Sequence, residues 1–327
     1  MTDAHIPVLA DEAVAALQIR ADGCYVDATF GRGGHARRIL AALSPGGRLV
    51  ALDRDPDAER AARAIDDPRF VFRRAWFSEM PAVLDDLTLP LVDGVLLDLG
   101  ISSPQIDVAA RGFSYRNDGP LDMRMDPARG ESAAQFVARA SLRELTQVIR
   151  DYGEERFAQS VARAVVAART REPIVTTRQL AAAVAQAIGA RTRGDWRQDP
   201  AARTFQALRI FVNRELDELQ LALPRACARL RTGGRVAVIS FHSLEDRIVK
   251  RFIGAHSKPW RGDPRLARLS LQQSQLPTPP LAAIGRAQRP TDAEASANPR
   301  SRSAVLRVAE RTDAALPADF FDAGDAP

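Results

Sequence analysis

The fold is decided by residues 24–35, which run Cys24-Tyr25-Val26-Asp27-Ala28-Thr29-Phe30-Gly31-Arg32-Gly33-Gly34-His35. Residues 24–29 form an apolar run that is typical of a buried strand. A helical pattern follows, with Ile39, Leu40 and Leu43 on one face. The glycines between the two let the backbone turn sharply and pass close to a ligand. A strand, a glycine turn and a helix in this order predict the start of a β-α-β unit.

The same alternation continues through the first hundred residues. Further strand-like runs lie at 48–53, 70–73 and 94–99, and helical stretches at 57–65 and 80–87 separate them. Because these runs are apolar almost throughout, we expect both faces of the sheet to be buried. The pattern therefore predicts an α/β fold with a doubly wound, parallel, Rossmann-like sheet.

The alternation of strand and helix patterns stops in the middle of the chain, where residues 105–200 carry helical patterns and no strand pattern. The alternation resumes with one long helix predicted over 205–230, a strand over 235–240 and a last strand over 303–308. Between these two strands, residues 254–298 are predicted to form a long loop. An all-helical subdomain is thus inserted into the sheet domain. The predicted divisions are 1–106 and 204–311 for the sheet domain, 107–203 for the insert, and 312–327 for a disordered acidic tail.

Composition narrows the class of protein. The chain has 327 residues, of which 46% are hydrophobic, and no uninterrupted apolar run of about 18 residues, so a membrane span is not expected. Two cysteines without a CxxC pair indicate a reducing, cytoplasmic environment, and four histidines without zinc-like spacing predict no metal.

The net charge is +5, and residues 251–311 hold eleven Lys and Arg against four Asp and Glu. That excess suits nucleic acid, although a solvated arginine-rich surface is the simpler alternative.

The glycine turn has an acidic partner in the sequence. Asp53 ends the second strand, 22 residues after Gly31, and a carboxylate there can accept both ribose hydroxyls of a nucleoside. The pair predicts an adenosine-containing cofactor. The spacing Gly31-x-Gly33-x-x-Ala36 also satisfies the dinucleotide fingerprint, so a nicotinamide-dependent oxidoreductase stays open. A structural tight turn with an unrelated surface Asp53 is the simplest alternative.

The loop after the fourth strand distinguishes between these cofactors. It runs Asp98-Leu99-Gly100-Ile101-Ser102-Ser103-Pro104-Gln105. A polar residue closely followed by proline resembles the (Asp/Asn/Ser)-Pro-Pro-aromatic loop of amino methyltransferases. An exocyclic base amine is a poor nucleophile, and oxygen acceptors such as Asp98 can hold its N–H groups and orient it. The loop therefore favours a methyltransferase, although an ordinary turn would need the same residue types.

Two later segments offer possible substrate contacts. His242 follows the fifth strand, at the edge where ligands bind in this architecture. The neighbouring Ser243 and Asp246 also have the spacing of a helix-capping box, which is a purely structural role. Arg300 and Arg302 precede the last strand and can grip phosphates, or can simply be solvated.

Taken together, many segments resemble one family, the bacterial small-subunit rRNA (cytosine-N4)-methyltransferases of the RsmH/MraW type. The matching segments run in order along nearly the whole chain: residues 5–9, 27–35, 52–55, 97–105, 111–115, 119–126, 153–156, 203–210, 239–246 and 298–303. One departure is Asp199-Pro200, where the family usually has His-Pro. Residues 258–297 match weakly.

The resemblance implies a class I methyltransferase with an inserted helical subdomain, S-adenosylmethionine as cofactor, and the N4 amine of a P-site cytidine in 16S rRNA as substrate. Its motifs imply cofactor contacts at Gly33, Gly34, His35, Asp53, Phe77, Asp98 and Gln105. Asp98 is our choice for the catalytic group near the amine. Candidate substrate contacts are Arg124, Arg209, His242, Arg300 and Arg302.

The expected partner is 16S rRNA within the small ribosomal subunit, and a homodimer stays open. A non-catalytic RNA-binding or assembly factor with a vestigial pocket is the alternative from another class of protein. The intact residues Gly33, Asp53 and Asp98 argue against it.

Overall fold

The computed structural model describes residues 7–192, 199–259 and 276–321. The chain forms two compact units. The sheet unit comprises Met1–Gly100 and Leu216–Pro327, and the helical unit comprises Ile101–Glu215. The helical unit begins before and ends after the predicted insert 107–203. It ends later because the helix over Ala201–Asn213 contributes Phe205 and Leu208 to the helical core.

The sheet unit is built on seven strands in the order β3-β2-β1-β4-β5-β7-β6. Strands β1 to β5 run parallel, and β7 is antiparallel to both of its neighbours. This arrangement confirms the predicted Rossmann-like sheet. The strands are β1 (Cys24–Asp27), β2 (Arg48–Asp53), β3 (Phe70–Arg74), β4 (Val92–Asp98), β5 (Leu230–Ser240), β6 (Leu281–Gln288) and β7 (Val305–Arg311).

Thirteen α-helices occur in the described residues. They are α1 (Ala10–Ala16), α2 (Gly34–Ala42), α3 (Pro56–Ala62), α4 (Met80–Asp86), α5 (Ser103–Asp107), α6 (Ala133–Arg139), α7 (Leu142–Gly153), α8 (Ala158–Arg171), α9 (Thr177–Thr192), α10 (Ala201–Asn213), α11 (Glu215–Ala228), α12 (Ser243–His256) and α13 (Asp292–Ala297). No helix among the described residues is both long and apolar enough to cross a membrane.

Apolar side chains cover both faces of the central strands, as the continuous apolar runs predict. Val26, Val50 and Val95 pack on one face with residues of α4, α11 and α12. Tyr25 and Leu49 pack on the opposite face with residues of α1, α2 and α3. Successive residues of a strand point to opposite faces of the sheet. Because both faces are buried here, the strands are apolar at nearly every position and do not alternate between apolar and polar residues. Because strands β1 to β5 run parallel, their carboxyl ends lie along the same edge of the sheet.

The helical unit has its own apolar core, centred on residues such as Phe136, Val161 and Leu180. A buried amide, Asn213, ties α10 to the preceding loop. Its Oδ1 accepts the N–H of Met125 at 2.8 Å, and its Nδ2 donates to the carbonyl of Met123 at 2.7 Å. The buried Asn213 amide is therefore satisfied within the unit.

Three predicted segments differ in the structure. The predicted loop 254–298 contains β6 and α13, while residues 260–275 lie outside the described part. Strand β6 lacks a strand-like signal because it is an edge strand with only Leu281 fully buried. The predicted single helix 205–230 is instead α10 and α11, because Arg214 between them adopts a left-handed φ of 49°.

The predicted disordered tail is wrong for the residues up to 321. Ala318–Phe321 forms a 3-10 turn, and Phe320 is fully buried. Its ring lies 4.5 Å from the His256 ring and 5.8 Å from the Phe252 ring. Aromatic packing of this kind anchors the segment to α12. Residues 322–327 lie outside the described part of the chain.

Candidate active site

The turn between β1 and α2 is held open by its glycines. Gly31 and Gly33 adopt φ values of 54° and 73°, and Gly33 is the residue that precedes the first turn of α2. A Cβ at Gly33 would lie 2.7 Å from the Phe30 ring, and a Cβ at Gly34 would lie 3.0 Å from Pro7. Only glycine therefore fits at Gly33 without strain. The bare backbone and the N-terminus of α2 form a surface suited to a polar ligand.

Asp53 is bound to this turn. Its Oδ2 accepts the N–H of Gly31 at 2.8 Å, and its Oδ1 accepts the N–H of Asp55 at 2.9 Å. Burial raises the pKa of the Asp53 carboxyl, and these two hydrogen bonds oppose the rise. The structure thus brings together the glycine turn and the strand-end acid that the sequence paired. Each carboxylate oxygen keeps a further lone pair for a hydroxyl donor.

Asp98 lies at the end of β4, beside the same turn. Its N–H donates to Thr29 Oγ1 at 2.6 Å, and its Oδ2 lies 3.4 Å from His35 Nε2. The His35 side chain is 5% exposed, and that of Asp98 is 22% exposed. A buried imidazole therefore lies against a carboxylate that is only partly exposed and whose Oδ1 is buried.

Asp27 is a buried carboxyl that the sequence analysis did not select as a site residue. It ends β1 and is 1% exposed, and its Oδ1 accepts the N–H of Thr29 at 3.2 Å. The available signal was its position, because an acid at the end of a central parallel strand faces the ligand edge of the sheet. We call Asp27, His35 and Asp98 the strand-end cluster.

The surroundings of the strand-end cluster raise the pKa values of Asp27 and His35. Burial raises the pKa of Asp27 to about 7, and the charges of Asp98 and Asp53 add to the rise. The charge of His35 and the hydrogen bond from Thr29 oppose it. Burial lowers the pKa of His35, but the hydrogen bond and charge of Asp98 and the charge of Asp27 outweigh it, so the pKa is raised.

Several polar atoms of the strand-end cluster have no hydrogen-bond partner among the described residues. They are Asp27 Oδ2, Asp98 Oδ1 and both ring nitrogens of His35, of which Nε2 has only the 3.4 Å ion-pair approach to Asp98 Oδ2. Leaving a buried polar atom unpaired costs about 1–3 kcal/mol, so such atoms are rare in a finished interior. Together with the bare glycine turn and Asp53, they form a polar cradle that fits a nucleoside cofactor carrying charged groups.

Phe77 follows β3, next to the end of β2. It begins the 3-10 turn Phe77–Glu79 and is half-buried against the apolar core beneath. The adjacent Trp76 carries the Arg54 guanidinium 4.5 Å above its ring. An aromatic side chain at this position suits an adenine ring, and the predicted contact stays a prediction.

Gln105 belongs to the helical unit and caps α5. Its Oε1 accepts the N–H of Ser102 at 2.9 Å, and the side chain is 4% exposed. The Ser102–Gln105 segment is thus a capped helix start, the ordinary structural role that the sequence left open. A cofactor contact by Gln105 stays a prediction.

Two of the arginines predicted to bind substrate are engaged in internal ion pairs. Arg124 makes a two-bond pair with Asp122 at 2.9 and 2.8 Å, and Arg209 makes one with Glu215 at 2.9 and 2.8 Å. The bonded carboxylate in each pair offsets the positive charge that a phosphate would meet. Sequence spacing did not reveal this engagement.

His242 begins α12 as its cap. Its Nδ1 accepts the N–H of Glu245 at 3.4 Å, and Glu245 Oε2 accepts the N–H of Phe241 at 2.7 Å. The predicted Ser243–Asp246 capping box is therefore wrong by one residue. Asp246 instead accepts two hydrogen bonds from Arg307, at 2.6 and 3.0 Å.

Arg300 and Arg302 are exposed on the 3-10 turn Pro299–Ser303. The turn is anchored by Ser301, which is fully buried and donates its hydroxyl to the Asn298 carbonyl at 2.8 Å. An anchored turn with two exposed guanidinium groups suits phosphate contact.

Asp199, the departure from the family's usual His, accepts the N–H of Ala201 at 2.8 Å and so caps α10.

Comparison with known families matches residues 2–312 to the model of the MraW methylase family. The chain belongs to this family. It is 59% identical over 311 residues to ribosomal RNA small subunit methyltransferase H of Thiobacillus denitrificans, over 95% of this chain and 98% of that protein. The enzyme of that name from Azoarcus sp. is 58% identical, over 94% of this chain and 96% of that protein.

A solved rRNA methylase from Streptococcus thermophilus is similar over 93% of each chain, with a TM-score of 0.39 and 11% identity. Membership of the MraW methylase family decides between the cofactors that the glycine turn left open. The protein is a methyltransferase that uses S-adenosylmethionine, and the oxidoreductase alternative is excluded.

Proposed function

We propose that this member of the MraW methylase family methylates the exocyclic N4 amine of a P-site cytidine in the 16S rRNA of the small ribosomal subunit. The observation that carries the proposal is the strand-end cluster beside the glycine turn. It offers the partly exposed side chain of Asp98 at the edge where the glycine turn and Asp53 lie. The rRNA substrate is supported by relatives named ribosomal RNA small subunit methyltransferase H.

The chemistry explains why a carboxylate is needed there. The lone pair of a cytosine amine is delocalised into the ring, so the amine must be held and oriented before it reacts. Asp98 accepts an N–H of the amine, and His35 Nε2, 3.4 Å from Asp98 Oδ2, helps to hold the carboxylate in place. When bound, S-adenosylmethionine supplies a methyl group activated by its sulfonium.

Cofactor binding would rest on residues of the sheet unit. The backbone of Gly33, Gly34 and His35 faces the cofactor, and Asp53 holds the ribose hydroxyls while it keeps the turn in shape. Phe77 would flank the adenine ring. Because the target base must leave its stack to reach the pocket, the rest of the protein has to grip the RNA backbone.

The charge distribution favours an RNA partner. The helical unit holds 18 of the 46 Lys and Arg residues and 13 of the 41 Asp and Glu residues. The remaining 28 cations and 28 anions balance within the sheet unit, so the net charge of +5 belongs to the helical unit. A positively charged unit in the same chain as a neutral catalytic unit suits a polyanionic substrate. Arg300 and Arg302 add exposed cations on the sheet unit.

Mass mapping of rRNA from cells with and without this gene tests the proposal. We expect one cytidine of 16S rRNA at the ribosomal P site to lose a methyl group on its N4 atom when the gene is deleted. Restoring the wild-type gene should restore the modification. An unchanged P-site cytidine in the deletion strain would refute the proposed substrate and would leave the cofactor assignment intact.

A further inference from the structure

One surface of the sheet unit carries many cations and almost no free acid. Helix α12 packs beside strand β6, and residues 247–259 and 281–290, which span most of the two elements, contain six Lys and Arg and no Asp or Glu. The sheet unit as a whole is neutral, so this is a local excess of positive charge. We call it the basic surface, and its exposed cations are Arg247, Lys250, Arg251, Lys258, Arg286 and Arg289.

We propose that the basic surface binds the phosphate backbone of the rRNA strand that flanks the target cytidine. The inference rests on the proposed rRNA methylation and gives that substrate a defined binding surface on the sheet unit. A nucleic-acid backbone is a row of negative charges, and Lys and Arg side chains supply most of the contacts to it.

The two acids of α12 do not neutralise the basic surface. Asp246 accepts two hydrogen bonds from Arg307 of β7, at 2.6 and 3.0 Å. Glu245 is buried and accepts the N–H of Phe241 at 2.7 Å. In the part of the chain that the structure describes, neither Lys250 nor Arg286 has an ion-pair partner. Their charges are therefore available to an anion from solution.

A cavity of about 190 Å³ lies between α12 and β6 within the basic surface. Lys250, Gly254 and Ser257 line one wall, and Gly285 and Arg286 line the other. A Cβ built at either glycine would meet no atom within 4 Å, so both walls leave open space. Two cations on opposite walls of one cavity can contact the same phosphate, which binds more strongly than a single surface cation would.

The β6 wall of the cavity is a bulge in the strand. Between Ile284 and Gln288 the pairing of β6 with β7 slips, so that three residues of β6 stand opposite the single residue Arg307. Gly285 begins the bulge with a left-handed φ of 65°, which glycine adopts without strain. The bulge interrupts the regular ladder at Arg286, one of the two cations that line the cavity.

The sheet register places one end of the basic surface at the same edge as Asp98. Asp98 pairs with Ile239, Ile239 with Leu306, and Leu306 with Gln288, so Asp98 and Gln288 lie in one row across four strands. Neighbouring strands lie about 4.8 Å apart, so three steps along this row span about 14 Å. Arg289 follows Gln288 directly. An RNA strand whose target base reaches Asp98 can therefore continue along this edge to the basic surface.

Protection of the sheet edge is the simpler role for some of these cations. Charged side chains on an edge strand prevent it from pairing with another chain, which would explain Arg286 and Arg289 on β6. It would not explain Lys250 and Arg251, which lie on a helix. The two roles predict different losses: removing protective charges causes aggregation, which light scattering detects, whereas removing phosphate contacts weakens RNA binding by a protein that stays monodisperse.

The first test measures RNA binding without cofactor or turnover. A labelled single-stranded RNA with the 16S rRNA sequence around the P-site cytidine is titrated with the full chain at several salt concentrations. The test variant is Lys250→Gln with Arg286→Gln, which removes one charge from each wall of the cavity. Each phosphate contact adds about 0.7 to the slope of log affinity against log salt, so this variant should lose about 1.4 of the slope and bind about 10-fold more weakly.

The control removes the same charge from another surface of the sheet unit. Arg60→Gln with Arg63→Gln replaces two exposed arginines at α3, which pair with Asp57 and Glu59. It should keep the wild-type affinity and slope. The proposal is overturned if the test variant keeps both, if the control loses as much as the test variant, or if wild-type protein does not bind the RNA at low salt.

The second test separates this inference from the proposed function. In single-turnover methyl transfer to small ribosomal subunits, the test variant should need about 10-fold more subunits for half of its limiting rate, with a much smaller change in that rate. Wild-type protein that binds RNA through the basic surface and methylates no cytidine refutes only the proposed function. Methylation with the same half-saturation in wild type and test variant refutes only the basic surface. Unchanged S-adenosylhomocysteine affinity confirms that the variant is folded.

Discussion

The two ends of the β1–β4 strand pair carry the same residue types in opposite situations. At the amino end, Asp93 accepts the N–H of Cys24 at 2.9 Å and a guanidinium N–H of Arg20 at 3.3 Å. At the carboxyl end, Asp27 and Asp98 each leave one oxygen without a hydrogen-bond partner among the described residues. The same strands thus hold one satisfied carboxylate and two unsatisfied ones.

The difference shows what each end is for. A carboxylate at the amino end stabilises the fold, because it pairs a strand N–H that would otherwise have no partner. Unpaired buried atoms at the carboxyl end cost stability and are retained where a ligand completes them. The buried amide of Asn213 in the helical unit follows the first pattern, with all of its bonds made inside the protein.

The largest expected effect tests this contrast with matched substitutions. Asp98→Asn should slow methyl transfer about 100-fold to 10,000-fold, because the amide cannot take a proton from the amine. Asp93→Asn should leave the rate within about twofold and lower the free energy of unfolding by about 1–2 kcal/mol, because it weakens a charged hydrogen bond. Single-turnover kinetics and urea unfolding measure the two. Equal losses of rate would show that the two ends are not functionally different.

The next effect concerns two glycines with nearly the same backbone. Gly33 and Gly233 have φ values of 73° and 77°, but a Cβ at Gly33 meets the Phe30 ring at 2.7 Å, whereas at Gly233 its nearest contact is an Arg20 side chain at 3.5 Å. Both alanine variants should lose about 1–2 kcal/mol of stability from the left-handed conformation. Only Gly33→Ala should also weaken S-adenosylhomocysteine binding, by about 10-fold or more, because the turn must shift.

Isothermal titration calorimetry of both variants gives the affinities. An unchanged affinity in Gly33→Ala would place the cofactor away from this turn, whatever the variant does to stability.

A smaller effect is expected at Asp53. Asp53→Ala removes the acceptor of the Gly31 N–H and the proposed ribose contact. Hydrogen bonds to charged groups contribute about 1.5–3 kcal/mol, so S-adenosylhomocysteine should bind about 10-fold to 100-fold more weakly. Asp55→Ala is the control, because its side chain caps α3 through the Asp57 N–H at 2.8 Å. It should cost about 1 kcal/mol of stability and leave affinity unchanged.

The smallest effect is a pH dependence of stability. The pKa of Asp27 is raised by burial to about 7, so its contribution to stability is complete below the unfolded pKa and is lost as pH rises through 7. The raised pKa of His35 acts in the same direction. Between pH 5 and 8, unfolding by urea should show wild-type protein losing more stability than Asp27→Asn. Parallel curves for the two proteins would mean that Asp27 is ionised throughout this range.

Much of the fold and part of the site could be predicted from the sequence. The glycine turn, Asp53 and Asp98 were identified because each stands at the end of a strongly apolar strand, where spacing alone fixes the edge of the sheet. Asp27 was missed although it also ends a strand, because the full burial that raises its pKa depends on the surrounding fold. Edge strand β6 was missed for the opposite reason, since it is too exposed to carry an apolar pattern.

The substrate contacts were the least predictable part. Arg124 and Arg209 look like free cations in the sequence, but their bonds to Asp122 and Glu215 depend on how the chain folds around them. His242 follows a strand, as a ligand-contacting residue would, yet its imidazole caps a helix. Residue type and sequence position are enough to predict which residues lie at the edge of the sheet. They are not enough to predict which partner a long side chain binds.

One measurement tests most directly the claim that the carboxyl end of the sheet is the functional end. Backbone amide NMR spectra of the wild-type protein are recorded as S-adenosylhomocysteine is added. The account predicts shifts centred on Gly31 to His35, Asp53 and Asp98, with the amides of Cys24, Asp93 and Gly233 unmoved. Shifts centred on that second group, with the glycine turn unmoved, would contradict it.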